Sequence, residues 1–228
     1  MKFHKNKLNA LILVIAVFAS CTKLNEGLGG SNLIVYNPSA GTASASGVLI
    51  TAYGDLSFLH GQDQLFSLEE NTTDECLVPT RAGDWDDNGV WRVLHAHAWD
   101  ATHGQSASVF SNLGTLESDA TTVLASNPTP EQAAEATFLR SFAQFYFLDL
   151  YGQVPYRTVP NYNTVNAAPV MSPQEAIDTL VNNLTGIIPV LSSSNKNYQA
   201  NANAARFLLM KVLLNKQAFF KQGKTCCS

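Results

Sequence analysis

The stretch TPEQAAEATFLRSFAQFYFLDLYGQVP, Thr129 to Pro155, decides the fold. Its start is set by local chemistry. The Thr129 hydroxyl can cap a helix, Pro130 suits a first turn that needs no N–H, and Gln132 stands where its side chain can reach back to the cap. Its end is marked by Gly152, which tolerates the left-handed backbone that closes helices, and by Pro155 just beyond. Between these signals Phe138, Phe142, Phe145 and Asp149 follow one face, with Leu139, Tyr146 and Leu150 alongside. A helix apolar over so much of its circumference belongs at the centre of a core. Arg140 and Asp149 then need partners or solvent.

Working outward, the same start signal recurs at Ser172, Pro173 and Glu175. It precedes Ile177, Leu180, Val181, Leu184, Ile187, Ile188 and Leu191, a one-sided stripe. Upstream, residues 45–59 carry Val48, Leu49, Ala52, Tyr53 and Leu56 at helical spacing. Residues 106–125 repeat the pattern with Val109, Phe110, Leu113, Leu116, Ala120, Val123 and Leu124. A last helix, over about 203–219, presents Phe207, Leu208, Met210, Leu213 and Leu214. Strand signals are few: VYN near 35, and VPYRTV at 154–159, which contains a proline. The expected class is all-α. Two identically punctuated helices, each followed by a loop and another helix, predict tetratricopeptide-like helical-repeat packing with long loops.

With 228 residues, 46% hydrophobic and 14% charged, the chain can bury one sizeable core. Lys2, Lys5 and Lys7 precede the apolar run Leu8 to Ala19, which is too short to span a bilayer, so residues 1–20 read as a secretory signal. The ending Ala19-Ser20-Cys21 resembles a bacterial lipobox, which implies lipidation of Cys21. Acyl chains contribute about 0.8 kcal/mol per buried CH₂, so such an anchor needs no transmembrane helix. Residues 21–43, rich in Gly, Ser, Asn and Thr, read as a flexible tether, 44–220 as the helical domain, and 221–228 as an atypical tail, KQGKTCCS. Cleavage after Ser20 leaves eleven basic against eighteen acidic residues, a net charge of −7. That balance argues against a nucleic-acid or anionic-lipid partner. Cys76, Cys226 and Cys227 have no zinc-like spacing, and Cys76 reads as a lone buried thiol.

All three tryptophans fall in RAGDWDDNGVWRVLHAHAW, Arg81 to Trp99. Before Gly89 the segment is acidic and turn-forming; after it Val90, Trp91, Val93 and Leu94 turn apolar. Trp91, Leu94 and Ala98 fall at helical spacing, which makes Trp91 a core residue, while Trp99 could serve core or site. Trp85, flanked by Asp84 and Asp86, suits a flat aromatic platform, with Arg81, Asp84, Asp86 and Asn88 as hydrogen-bonding groups. Asp84, Asp86, Asn88 and Gly89 match the first half of a calcium loop, but His95 stands where its bidentate Glu belongs, leaving only a non-EF-hand site on Asp86 and Asp87 open. His95 and His97 would point to different sides of a helix, whereas His95 and Trp99 would share one. No metal site and no cofactor is expected. GQSAS at 104–108 fails the nucleophile-elbow pattern, and Glu69 with Glu70, or Asp74 with Glu75, diverge as adjacent pairs. No catalytic pair forms on sequence grounds, and acids recruited from distant segments stay open.

EATFLRSFAQFYFLDLYGQVPYRTV (Glu135 to Val159) resembles the SusD/RagB group of outer-membrane lipoproteins from Bacteroidetes-type bacteria, in its helix ending at a Gly-x-x-Pro turn. DECLVPTRAGDW, SPQEAIDTLVNNLTGIIPVL and ANANAARFLLMKVLLNK are supporting matches in the same order. The resemblance implies a non-catalytic, surface-facing nutrient-uptake lipoprotein. Such a protein captures glycans for a SusC-like TonB-dependent outer-membrane transporter. It implies further that Arg81 to Trp99 contributes to the glycan site. A peptide ligand, or a scaffold role in the transporter complex without ligand binding, is the alternative. Family members are substantially longer, and KQGKTCCS does not resemble their continuation, so the chain corresponds to the N-terminal part of the family fold, with truncation the expectation.

Overall fold

The structure, a computed structural model, describes residues 44–79, 89–162, 164, 166–192 and 198–225. The signal segment, Cys21, the tether, VYN and the CCS ending lie outside the described residues. The fold is all-α. Seven α-helices stand among the described residues: α1 (Ala45–Leu59), α2 (Leu65–Asn71), α3 (Val90–His95), α4 (Gly104–Ala125), α5 (Pro130–Tyr151), α6 (Pro173–Ile187) and α7 (Ala202–Thr225). Two short strands, β1 (Val154–Pro155) and β2 (Val170–Met171), pair antiparallel with Val154 opposite Met171.

The capping chemistry read from the sequence sets the two central starts. The Thr129 hydroxyl accepts from the Gln132 N–H at 3.3 Å while Gln132 Oε1 accepts from the Thr129 N–H at 3.0 Å. Ser172 and Glu175 form the same reciprocal pair, with the Ser172 N–H donating to Glu175 Oε2 at 2.8 Å. Each cap contributes about 1 kcal/mol. Gly152 closes α5 at φ 67°, with its N–H on the Leu148 carbonyl.

α5 sits at the centre as expected, packed between α4 and α6 and touching α1 and α7. Leu139, Phe145, Phe147 and Leu148 are fully buried, and Phe138 and Phe142 are partly buried against the same core. Each such side chain contributes about 1.5–3 kcal/mol by leaving water. α1 packs on α4, and α6 on α7. The α6 stripe is buried at Ile177, Leu180, Leu184, Ile187 and Leu191.

Two expectations need correction. On α7 the buried face is Ala205, Leu208, Val212 and Phe219; of the expected stripe only Leu208 is buried, and Phe207, Met210, Leu213 and Leu214 face solvent. The small Ala205 and Val212 allow close approach to α6, so that face wins over the bulkier one. On α4, Phe110 is exposed, at 41%, whereas Val109 is buried.

The loop joining α5 to α6 is fixed by polar contacts. Arg140, buried on α5, donates to the Arg157 carbonyl and places its guanidinium 4.5 Å from the Tyr156 ring centroid. The Arg157 side chain in turn donates to Thr164 Oγ1 at 2.7 Å and to the Asn166 carbonyl.

Candidate functional site

The expected binding residues Arg81, Asp84, Trp85, Asp86 and Asn88 lie outside the described residues. The segment that leaves them is described. Gly89 holds φ at 78°, where a side chain would be strained, and hands the chain to α3. Trp91 and Leu94 of α3 are buried, Trp91 at 8% exposure, so the reading of Trp91 as core holds. His103 ties the segment to α4: its Nδ1 accepts from the Ser106 N–H at 3.2 Å, capping α4, and its Nε2 lies 3.4 Å from the Val90 carbonyl.

Trp99 does not sit on α3. The helix stops at His95, and His97 takes a left-handed backbone, φ 52°, which redirects the chain. His95 and Trp99 therefore share no helix face, and Ala98 is exposed instead of following Trp91 and Leu94. The turn places the Trp99 ring in solvent, 43% exposed, tilted against the His97 ring at a centroid distance of 5.5 Å. Beyond it, Asp100 accepts from the Thr102 N–H and hydroxyl at 2.8 and 2.6 Å, which holds its carboxyl below the ordinary range.

Three polar clusters assembled from distant segments were not legible as sites. In the first, Glu117 of α4 is buried and its Oε1 accepts from Gln144 Nε2 at 2.9 Å, with Arg140 Nε at 3.8 Å. Burial raises the Glu117 pKa against the pull of Gln144 and Arg140. Its sequence signal was a carboxylate inside the stripe of Leu113, Leu116 and Ala120. In the second, Tyr53 donates to Glu135 and accepts from the Ala200 N–H at 2.9 Å, joining α1, α5 and the approach to α7. Burial pushes both Tyr53 and Glu135 up. In the third, Lys211 Nζ donates to the Tyr146 hydroxyl at 3.2 Å and lies 5.0 Å from the Phe145 and Tyr146 ring centroids. Glu69 and Asp149 face this ammonium, which opposes the upward push of burial on both.

None of these is a catalytic pair as it stands: Glu117 and Glu135 are each engaged by neutral or cationic partners. Among the described residues no group of three or more His, Cys, Asp or Glu is placed to hold a metal ion. No described helix is long and apolar enough to cross a membrane.

No protein-family model matches the chain. Over 113 aligned residues it is 30% identical to the starch-binding protein SusD of Bacteroides thetaiotaomicron. The aligned stretch is 43% of this chain and 20% of that protein, so the chain spans about a fifth of the length of the relative it matches. Over that stretch the chain is SusD-like.

Proposed function

We propose that this protein is a non-catalytic glycan-binding lipoprotein, anchored through Cys21 at the outer membrane and facing outward. It holds oligosaccharides for a SusC-like TonB-dependent transporter. Its helices pair as tetratricopeptide-like repeats, and the segment Arg81 to Trp99 carries the ligand-binding residues. The observation that carries the reading is Trp99: a large ring held in solvent by the left-handed turn at His97, at the end of a segment rich in acids and amides. A flat aromatic face accepts the apolar C–H face of a pyranose while nearby carboxylates and guanidinium groups bond its hydroxyls. Similarity to a starch-binding protein supports the ligand class.

The test is retention of the full chain on insoluble starch and titration with malto-oligosaccharides. Binding without new reducing ends is expected, and Trp99→Ala should weaken it about tenfold, or ~1.4 kcal/mol. Release of reducing ends would instead make it a glycosidase, and a folded chain that ignores glycans yet co-purifies with the transporter would make it a scaffold. For the anchor, labelled palmitate should enter the protein only with Cys21 present, and labelling that survives Cys21→Ala would overturn it.

A further inference from the structure

A second place on the molecule has the makings of a ligand site, remote in sequence from the tryptophan segment. A cavity of about 170 Å³ opens between α4, the end of α5 and the loop that follows, with Phe110, Gly114, Glu117, Phe147, Arg157 and Tyr162 in its lining. Its size is close to that of the ~150 Å³ apolar cavity that admits benzene in a protein interior. Phe110 is held edge-on by two neighbours, Phe147 at 5.0 Å and 70° and Tyr151 at 5.1 Å and 89°. Tyr151 is itself fixed by donating to the Ser106 carbonyl at 2.7 Å. Its position is therefore set before any ligand arrives, which lowers the entropic cost of stacking.

Glu117 supplies the polar end. Gln144 and Arg140 both address its Oε1, and Glu117 lines the cavity, so a ligand hydroxyl would donate to its carboxylate. Arg140 balances the Glu117 charge, and Arg157 is held by Thr164 and the Asn166 carbonyl, two neutral acceptors that leave its own charge uncompensated. Gly114 keeps the wall open, since a Cβ built there would meet nothing within 4 Å.

We infer that this cavity is a subsite for one hydroxylated six-membered ring, a single pyranose unit, stacked on Phe110 and hydrogen-bonded to Glu117. The chemical class rests on the proposed glycan role; the place rests on the cavity alone.

The experiment is saturation-transfer NMR on the full chain with methyl gluco-, galacto- and mannopyranoside. At least one of these pyranosides should bind. Gly114→Leu, which fills the cavity from its wall, should abolish binding, with its fold checked by circular dichroism. Phe110→Ala, at an exposed ring, should weaken binding about tenfold and serves if Gly114→Leu fails to fold. Silence of all three neutral pyranosides overturns the inference. So does undiminished binding by folded Gly114→Leu or Phe110→Ala. The two readings fail separately: starch retention without pyranoside binding sinks the cavity alone, and pyranoside binding without starch retention sinks the Trp99 reading alone.

Discussion

The α1–α4 contact carries a carboxyl pair whose protonation should set the pH dependence of stability. Asp55 is buried on α1, and Asp119 of α4 lies within reach of its carboxyl. Burial first, then repulsion from Asp119, pushes Asp55 from 3.8 up to about 7. A carboxyl whose folded pKa is raised binds its proton more tightly in the native state than in the unfolded chain. Its contribution is therefore complete below about pH 4, falls as pH rises toward 7, and is lost above that. Three units at ~1.4 kcal/mol each give an upper limit of about 4 kcal/mol. Asp119 is only partly covered, and water screening reduces the expected effect to about 1–2 kcal/mol. Asp55→Asn keeps a donor toward Asp119 at every pH, so its margin over the wild type should widen between pH 5 and pH 8 by about two thirds of that amount. The assay is urea unfolding of the full chain between pH 5 and 8. Glu69, Glu117, Glu135 and Asp149 are also raised by burial, but their share is common to both proteins and largely cancels in the difference. Parallel pH profiles for wild type and Asp55→Asn would refute the argument, as would wild-type stability that rises from pH 5 to 8 relative to the variant.

Trp91→Ala should cost roughly 3–5 kcal/mol in urea unfolding as a large core truncation, whereas Trp99→Ala should change stability by less than about 0.5 kcal/mol. Tyr53→Phe removes the hydroxyl that serves both Glu135 and the Ala200 N–H. A loss of about 1–3 kcal/mol is expected, with faster hydrogen exchange at Ala200; an unchanged Ala200 rate would show that the bridge does not hold α1 to the approach of α7. Ser172→Ala removes one half of the α6 capping box and should cost about 1 kcal/mol, read from the melting transition, without altering glycan binding.

Helix existence was legible because its determinants are local. Thr129 with Gln132, Ser172 with Glu175, and Gly152 each act within one turn of the chain, and each acts in the structure as its chemistry dictates. Which face of a helix is buried is not local. α7 has apolar residues around most of its circumference, and its neighbours α6 and α5 choose Ala205, Leu208 and Val212 over Phe207, Met210 and Leu214. The end of α3 failed for a related reason. The His95, His97, Trp99 spacing reads as helix until His97 takes a left-handed backbone that no glycine announces. For the site, the type and order of residues in Arg81 to Trp99 were readable, whereas the partners of Glu117, Tyr53 and Lys211 come from segments 27, 82 and 65 residues away.

The buried polar groups of α5 explain how a core helix can also shape a site. Arg140, Ser141 and Gln144 are buried on a helix otherwise filled by Leu139, Phe145, Phe147 and Leu148. Packing alone would favour apolar residues there, because a buried guanidinium is stabilising only when its partners are complete. Arg140 uses its partners to reach outward: one amino group holds the Arg157 carbonyl, its plane lies by Tyr156, and Glu117 answers its charge from α4. The loop after α5 is thereby fixed at Tyr156 and Arg157, and the Arg157 side chain carries the same constraint on to Thr164 and Asn166. Lysine at 140 would supply the charge but not the planar fork, so it could not hold the carbonyl, the ring and the carboxylate together. Leucine would pack well and leave Glu117 buried without its counter-charge. The cavity wall formed by Pro155, Arg157 and Tyr162 is thus positioned by a charge inside α5, and its shape follows from electrostatics in the core before any ligand is present.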